Sequence, residues 1–227
     1  MCNAWLNEYI PFCGKCPHDW KLTPLSELAR FVSGYSYSGK ELKESSIAMA
    51  TIKNFDRRGG FKLEGYKEII PSEKIRPEHY ANLYDVLVAH TDLTQNADVI
   101  GNAEIILSLS GYSNIIFSMD IVKVVSINPQ ISQFLIAAIL QTQQFKDHCL
   151  SYVNGTTVLH LNKKALPDYS IMLPTDLKVL KPLDEIISVA YQEIATNFDK
   201  CIQLAKLRDT LLPHLMSGEL DVSELDL

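Results

Sequence analysis

Three short stretches of this 227-residue chain hold side-chain types that do chemistry. Cys13 and Cys16, with His18 close by, have the spacing that opens a zinc site. No second CxxC or HxxxH pair follows to complete the ligand set, so these are read as ordinary loop thiols and no metal is expected. His90 beside Thr91 and Asp92, and His148 beside Cys149, offer acid–base or nucleophile combinations. Sequence neighbours point to opposite faces of a strand and seldom face each other on a helix, so adjacency alone does not assemble a catalytic pair. The chain lacks a Gly-rich phosphate loop, a GxSxG, an HExxH and any dinucleotide or methyl-donor glycine fingerprint. The expectation is a non-catalytic chain with no cofactor of its own.

Composition narrows the class further. At 47% hydrophobic with ten Gly and ten Pro, the chain reads as one soluble globular domain plus an extension. Five cysteines are an odd number in an intracellular-looking chain and argue against a disulfide framework. The longest apolar runs, Phe134 to Leu140 and Ile115 to Ser126, are too short or too broken to span a bilayer, and Met1 is followed by no signal pattern. A cytoplasmic protein without membrane partners is expected. Net charge is −6, which at first sight opposes nucleic-acid binding. All of it falls from Leu183 onward, where Lys200, Lys206 and Arg208 face nine acidic residues. The rest of the chain is neutral and carries a modest basic patch, seven basic against four acidic residues from Lys53 to Arg76. That balance suits sequence-selective contact better than strong general affinity for phosphate.

The elements that must position these residues follow from pattern. Residues 1–19 read as irregular. Thr23 and Pro24 have the form of a helix N-cap and first helical position, predicting a short helix through Leu28. Short β-type runs follow at Ile47 to Ile52, Tyr66 to Ile70, Val86 to Ala89, Val99 to Leu107 and Ile115 to Ile127. Asn128-Pro129 reads as the start of a helix reaching Phe145, and Val158 to Leu161 and Tyr169 to Leu173 as further strands. Ile187, Ala190, Ile194, Phe198, Cys201, Leu204, Leu207 and Leu211 then recur at steps of three or four, the narrow seam of a helix that pairs with another helix. From Leu183 to Ser217 it would run on the order of 50 Å, longer than a compact domain needs for its own core. The fold class expected is mixed α/β (α+β), with a long C-terminal helix. Pro213 is expected to bend that helix and Gly218 to stop it.

The ending LRDTLLPHLMSGELDV, Leu207 to Val222, resembles the distal helical region of the specificity (S) subunits of type I restriction–modification systems. Trp20 to Val32 (WKLTPLSELARFV) is similar to the entry into that family's target-recognition domain. Tyr84 to Thr91 (YDVLVAHT) resembles its central strand and turn, and Asn154 to Leu161 (NGTTVLHL) its late G-T-x-x-x-x-L turn. The resemblance implies a recognition domain at 20–176 and a helical spacer at 177–227. Family members usually carry two of each, so this chain looks like a half-subunit, encoded that way or separated from a longer gene. It further implies an antiparallel helix pair, made with a second copy or another half-subunit, through Ile194, Phe198, Cys201, Leu204, Leu207, Leu211 and Leu215. Modification subunits, which would bind S-adenosylmethionine and perform the methyl transfer, and a restriction subunit are the implied protein partners, and double-stranded DNA the implied target. A degenerate half-subunit that serves only as a scaffold stays open as the alternative.

Reading base edges takes side chains that donate and accept hydrogen bonds, with cations to hold phosphates. The loop candidates are Ser36, Tyr37 and Ser38; Lys53, Asn54, Arg57 and Arg58; His90, Thr91, Asp92, Thr94 and Gln95; and Thr156, Thr157, His160, Lys163 and Lys164. Each has a plainer reading. Arg57-Arg58-Gly59-Gly60 also fits a solvated hairpin turn, Thr156 and Thr157 fit backbone satisfaction after Gly155, and one of Tyr35 and Tyr37 is expected to pack beneath its loop.

Overall fold

The computed structural model describes residues 1–94 and 96–219. In chain order the elements are α1 (Cys2–Leu6), β1 (Trp20–Pro24), β2 (Ala29–Ser33), β3 (Ile47–Ala50), β4 (Lys67–Glu68), β5 (Tyr80–Ala81) and β6 (Val86–Ala89). There follow β7 (Thr91–Asp92), β8 (Ala103–Ile105), β9 (Asn114–Phe117), β10 (Ile121–Ser126), α2 (Gln133–Leu140) and α3 (Gln143–Ser151). The chain continues through β11 (Val153–Asn154), β12 (Leu159–Leu161), α4 (Ala165–Asp168), β13 (Ser170–Pro174) and α5 (Lys181–Met216). A mixed α/β domain thus precedes a 36-residue helix, the class read from the pattern.

The central sheet has the order β2-β10-β6-β8, antiparallel throughout. Antiparallel alternation has a geometric consequence. The C-terminal ends of β2 and β6 and the N-terminal starts of β10 and β8 lie at one end of the sheet, with Ser33 opposite Val122, Ala89 opposite Ile121 and Val88 opposite Ala103. A second sheet, β4-β3-β9-β5, has one parallel pair, β3 with β9. Because β9 leads directly into the turn before β10, the ends of β3 and β9 meet that same end of the central sheet. Smaller sheets, β11-β12-β7 and β1-β13, complete the domain.

Several boundaries differ from the sequence pattern for identifiable reasons. Thr23 and Pro24 end strand β1 against β13, and only a 3₁₀ turn, Leu25–Glu27, follows. Pro at the strand's end removes no ladder bond that matters, so the helix-start signal was equally a strand-end signal. The alternating run from Ile115 is two strands in different sheets. They are separated by Ser118–Asp120, whose amides Ser118 N and Met119 N donate to Ala50 O and Tyr35 O at 2.9 and 3.0 Å. The helix expected from Asn128 begins at Ser132, whose hydroxyl accepts from Leu135 N at 3.1 Å, while Asn128 Oδ1 closes a turn on Gln130 N. It then restarts at Thr142, which caps α3. Residues 1–19, read as irregular, carry α1 and an aromatic cluster in which Phe12 lies 5.3 Å and Tyr9 5.6 Å from the ring of Trp20.

One core runs from Leu6 and Trp20 through β6, α2 and α3 to Leu180, Leu183 and Ile187 at the start of α5. A second core fills the space between the two large sheets with Ala48, Phe55, Leu87, Ile115, Phe117 and Ile121. The first half of α5 docks on the domain. Asp184 accepts from Ser132 N at 2.9 Å, and Tyr191 stacks on Phe134 at 5.9 Å while donating to Gln141 Oε1 at 2.6 Å. Asp199 accepts from Ser108 Oγ at 3.0 Å. Beyond Ala195 no described residue of the helix is buried. From Lys200 to Met216 it extends about 25 Å at 1.5 Å per residue. Pro213 stands inside the helix, and Gly218, at φ 76°, follows its end.

At the seam between the sheets, a Cβ on Gly34 would stand 2.0 Å from Ser118 O and 2.6 Å from Phe117 O. Both are backbone atoms and cannot rotate away. Gly34→Ala is expected to destabilise the domain by about 2–3 kcal/mol, measured by urea unfolding, because it forces the two sheets apart. An unchanged midpoint would show that the joint is loose.

Candidate nucleic-acid interface

The candidate segments lie far apart in the chain, and the topology gathers most of them. The loop after β2 (Gly34–Ser38), the turn after β3 (Thr51–Asn54), the segment after β6 (His90–Thr94) and the turn before β10 (Ser118–Asp120) share one end of the two large sheets. Hydrogen bonds tie neighbours together there: Met119 N donates to Tyr35 O, and His90 N donates to Asp120 O at 2.8 Å. Pairing of β12 with β7 puts His160 opposite Thr91, with Thr91 Oγ1 and His160 Nδ1 3.3 Å apart. This brings the hairpin carrying Thr156 and Thr157, and the following Lys163 and Lys164, beside His90. Burial holds His90 below the ordinary histidine range, with the neighbouring His160 and Lys163 acting in the same direction and Asp120 against it.

Arg57 and Arg58 sit on a tight turn between the bridged residues Phe55 and Phe61. Gly59 and Gly60 take φ of 89° and 106°, conformations that side-chain-bearing residues rarely adopt. The hairpin-turn reading of these residues is therefore correct as to backbone, and the turn presents both arginines outward. It is held against β8 and the segment leading into it: Arg57 Nε lies 3.6 Å from Asp98, Asn102 Nδ2 donates to Asp56 O at 3.0 Å, and Gly60 N donates to Glu104 Oε1 at 2.6 Å.

Exposed candidates are Ser36, Ser38, Lys53, Arg57, Arg58, Thr156, Thr157, His160, Lys163 and Lys164, while Tyr37, His90 and Thr94 are half-buried. Tyr35 is the tyrosine that packs, with its hydroxyl 2.8 Å from both Glu41 and Ser72. Three candidates are turned inward, which corrects their reading as surface contacts. Asn54 is fully buried, accepting from Thr51 N and donating to Lys62 O at 2.8 and 2.7 Å. Asp92 accepts from Thr94 N, Thr94 Oγ1 and Val99 N at 2.8 to 2.9 Å. Thr91 is buried beneath His160. Gln95 lies outside the described residues.

The sequence pattern missed the residues that shape this end from below. Lys146, on α3, donates to Asp98 O, Ile100 O and Asn102 Oδ1 at 2.9, 2.6 and 2.7 Å and so fixes the segment between β7 and β8. Burial lowers its pKa, against the pull of Cys149, Asp92 and Asp98. Glu104 is only 7% exposed, and burial raises its carboxyl to about 7, with Gly60 N–H opposing and Asp56 adding to the rise. A lone charge inside the apolar run Val99 to Leu107 was the available signal. Among the described residues no group of three His, Cys, Asp or Glu is arranged to hold a metal, and His18 and Cys13 are exposed.

Of the helix residues, Phe198 lines a small cavity with Phe61, Leu63 and Tyr191, and Ile194 lines one with Met1 and Ala138, so both face their own domain in part. Cys201, Leu204, Leu207, Leu211 and Leu215 are exposed. No described helix is long and apolar enough to cross a membrane.

A domain with loops converging at one end and a rod leaving another side has solved counterparts. The type I restriction–modification S subunit from M. genitalium superposes with a TM-score of 0.57 over 89% of this chain and 48% of that one, at 15% identity. The fold is that of type I S subunits. The HsdS subunit from Thermoanaerobacter tengcongensis is similar at 14% identity over 91% of this chain and 47% of its own, with a TM-score of 0.48. The curated type I restriction enzyme MjaIX specificity subunit of Methanocaldococcus jannaschii is 33% identical over 73 residues, 32% of this chain and 17% of that protein. No family model matches the chain. The chain spans about half the length of these solved S subunits and less of the curated relative.

Asp92→Ala removes the acceptor for three donors and is expected to cost about 3 kcal/mol. Hydrogen exchange at Thr94 and Val99 should rise by more than at β10, and uniform exchange would show that Asp92 does not hold the loop. The Glu104 carboxyl has a folded pKa of about 7 against 4.5 when unfolded. The folded state therefore holds the proton longer, and stability falls as pH rises between those values. Glu104→Gln should remove most of that loss, of order 3 kcal/mol, when urea midpoints at about pH 5 and about pH 8 are compared.

Proposed function

We propose that this chain is the DNA-recognition subunit of a type I restriction–modification assembly and reads one half of a bipartite site. The observation that carries the reading is the convergence of polar and cationic loops at one sheet end, on an S-subunit fold whose rod leaves the domain uncovered. Side chains at that end, His90, Thr94, Thr156, Thr157 and His160, have the donor and acceptor groups that distinguish base pairs in a groove. Lys53, Arg57, Arg58, Lys163 and Lys164 supply phosphate contacts that set register.

The chain itself performs no catalysis in this reading. Methyl transfer and S-adenosylmethionine belong to the modification subunits it would recruit, together with a restriction subunit. The exposed apolar residues from Cys201 to Leu215 pair antiparallel with a second copy or another half-subunit, fixing the distance between two reading domains. Burying several such side chains at about 1.5–3 kcal/mol each exceeds the cost of association. Two identical domains related by a two-fold axis would read a symmetric, interrupted sequence.

Purified with its modification subunits, the chain should bind one interrupted duplex sequence at least a hundredfold more tightly than unrelated duplexes. Equal binding to all duplexes overturns the reading and leaves a scaffold. Lys163→Ala with Lys164→Ala should weaken binding to every duplex and lower the salt slope by about two. Leu204→Glu with Leu211→Glu should convert a dimer to a monomer in sedimentation experiments while leaving the domain's unfolding midpoint unchanged. A wild-type chain that sediments as a monomer, both alone and mixed with another half-subunit, would exclude helix pairing.

A further inference from the structure

Between the Arg57–Gly60 turn, the segment Asp98 to Glu104 and the α2–α3 junction lies an open cleft of about 570 Å³. Arg57 and Arg58, both exposed, line it, and Asp98, also in the lining, lies 3.6 Å from Arg57 Nε and leaves Arg58 without a paired carboxylate among the salt bridges of the described residues. Leu140 and Leu150 contribute apolar surface, and the buried Glu104 lines the interior. One Glu104 oxygen accepts from Gly60 N at 2.6 Å, and the other makes no hydrogen bond to a described residue. Lys146 also lines the cleft, but its ammonium is committed to the carbonyls of Asp98 and Ile100.

This arrangement restricts what the cleft accepts. A simple anion would meet the Glu104 carboxyl, and a simple cation would meet two guanidinium groups. A molecule that suits both must carry an anion at one end and hydrogen-bond donors at the other, joined by a body that tolerates Leu140 and Leu150. We propose that the cleft holds one nucleotide unit, its phosphate against Arg57 and Arg58 and the amino-bearing edge of its base against Glu104. The proposal rests on the DNA-recognition reading and adds to it a site for an unpaired base beside the groove-reading loops. An ionised carboxylate accepts from the exocyclic amines of adenine, cytosine and guanine, whereas thymine has no such amine and offers only its ring N3–H, so thymine is disfavoured. Guanidinium planes stack on bases as well as bind phosphates, and the cleft volume lies in the range of small-molecule sites.

Titration calorimetry of the full chain with the four deoxynucleoside monophosphates tests this. The adenine, cytosine and guanine nucleotides should bind at least tenfold more tightly than the thymine nucleotide. In Glu104→Gln the Gly60 N–H keeps the amide oxygen in place and turns the NH₂ donor into the cleft. The order should then reverse in favour of thymine. Arg57→Ala with Arg58→Ala, both at exposed positions, should weaken all four tenfold or more without changing their order. A duplex with a single bulged adenine separates the sources: binding tighter than to both the paired duplex and the free nucleotide marks a base supplied by DNA, and binding of the free nucleotide alone marks a free ligand. Absence of binding by every nucleotide and by the bulge up to millimolar concentration overturns the proposal, as does an order unchanged in Glu104→Gln. If site-selective duplex binding by the assembly persists under those results, only the cleft assignment fails. Nucleotide binding without duplex selectivity would instead remove the DNA-recognition reading.

Discussion

A loop can present side chains at fixed positions only if its own backbone is satisfied, and here that satisfaction comes from inward-turned polar side chains. Asp92 takes three donors from the segment that follows it, Asn54 bridges Thr51 to Lys62, and Lys146 gathers carbonyls from the stretch before β8. Asp92 and Asn54 are out of water and Lys146 is half-buried, so the desolvation of each is offset only while its partners stay in place. The exposed residues Lys53 and Arg58 are not among these satisfying side chains. The exposed side chains of such loops can change while the frame is held from underneath.

The division between frame and surface explains what was legible in the sequence. The long helix was legible because its seam repeats at helical period, and the strands near Val86 and Leu159 because short apolar runs stand between turn residues. The strand switch at Ser118–Asp120 was hidden, since apolar and polar residues alternate from Phe117 to Ile121 just where the chain passes from one sheet to the other. Ser132 as the helix start was masked by Asn128-Pro129, which satisfies the same local rule as a turn. Residue type identified polar loops but could not say which polar atoms face inward. Asn54 and Asp92 look like groove readers until their partners, eight and seven residues away, are placed. Lys146 and Glu104 act across long sequence separations and left almost no local mark.

A rod sets a useful distance only if the head cannot swivel on it. Apolar packing at Leu183 and Ile187 would by itself permit sliding, since such contacts have no direction. The directional bonds lie along one side of the helix: Asp184 with Ser132, Tyr191 with Gln141 and Asp199 with Ser108. They span about four turns, so rotation of the helix about its axis or tilt away from the domain breaks at least one of them. Gln141, which accepts from Tyr191, also lines the cleft beside Glu104 and sits next to Thr142, the cap of α3. The helix that carries Lys146, and through it the segment behind the candidate loops, is therefore anchored one residue from the point where the rod attaches. On the recognition reading, spacing and register come from one rigid body: moving the rod relative to the domain displaces α3, and displacing α3 moves the loops that face the DNA.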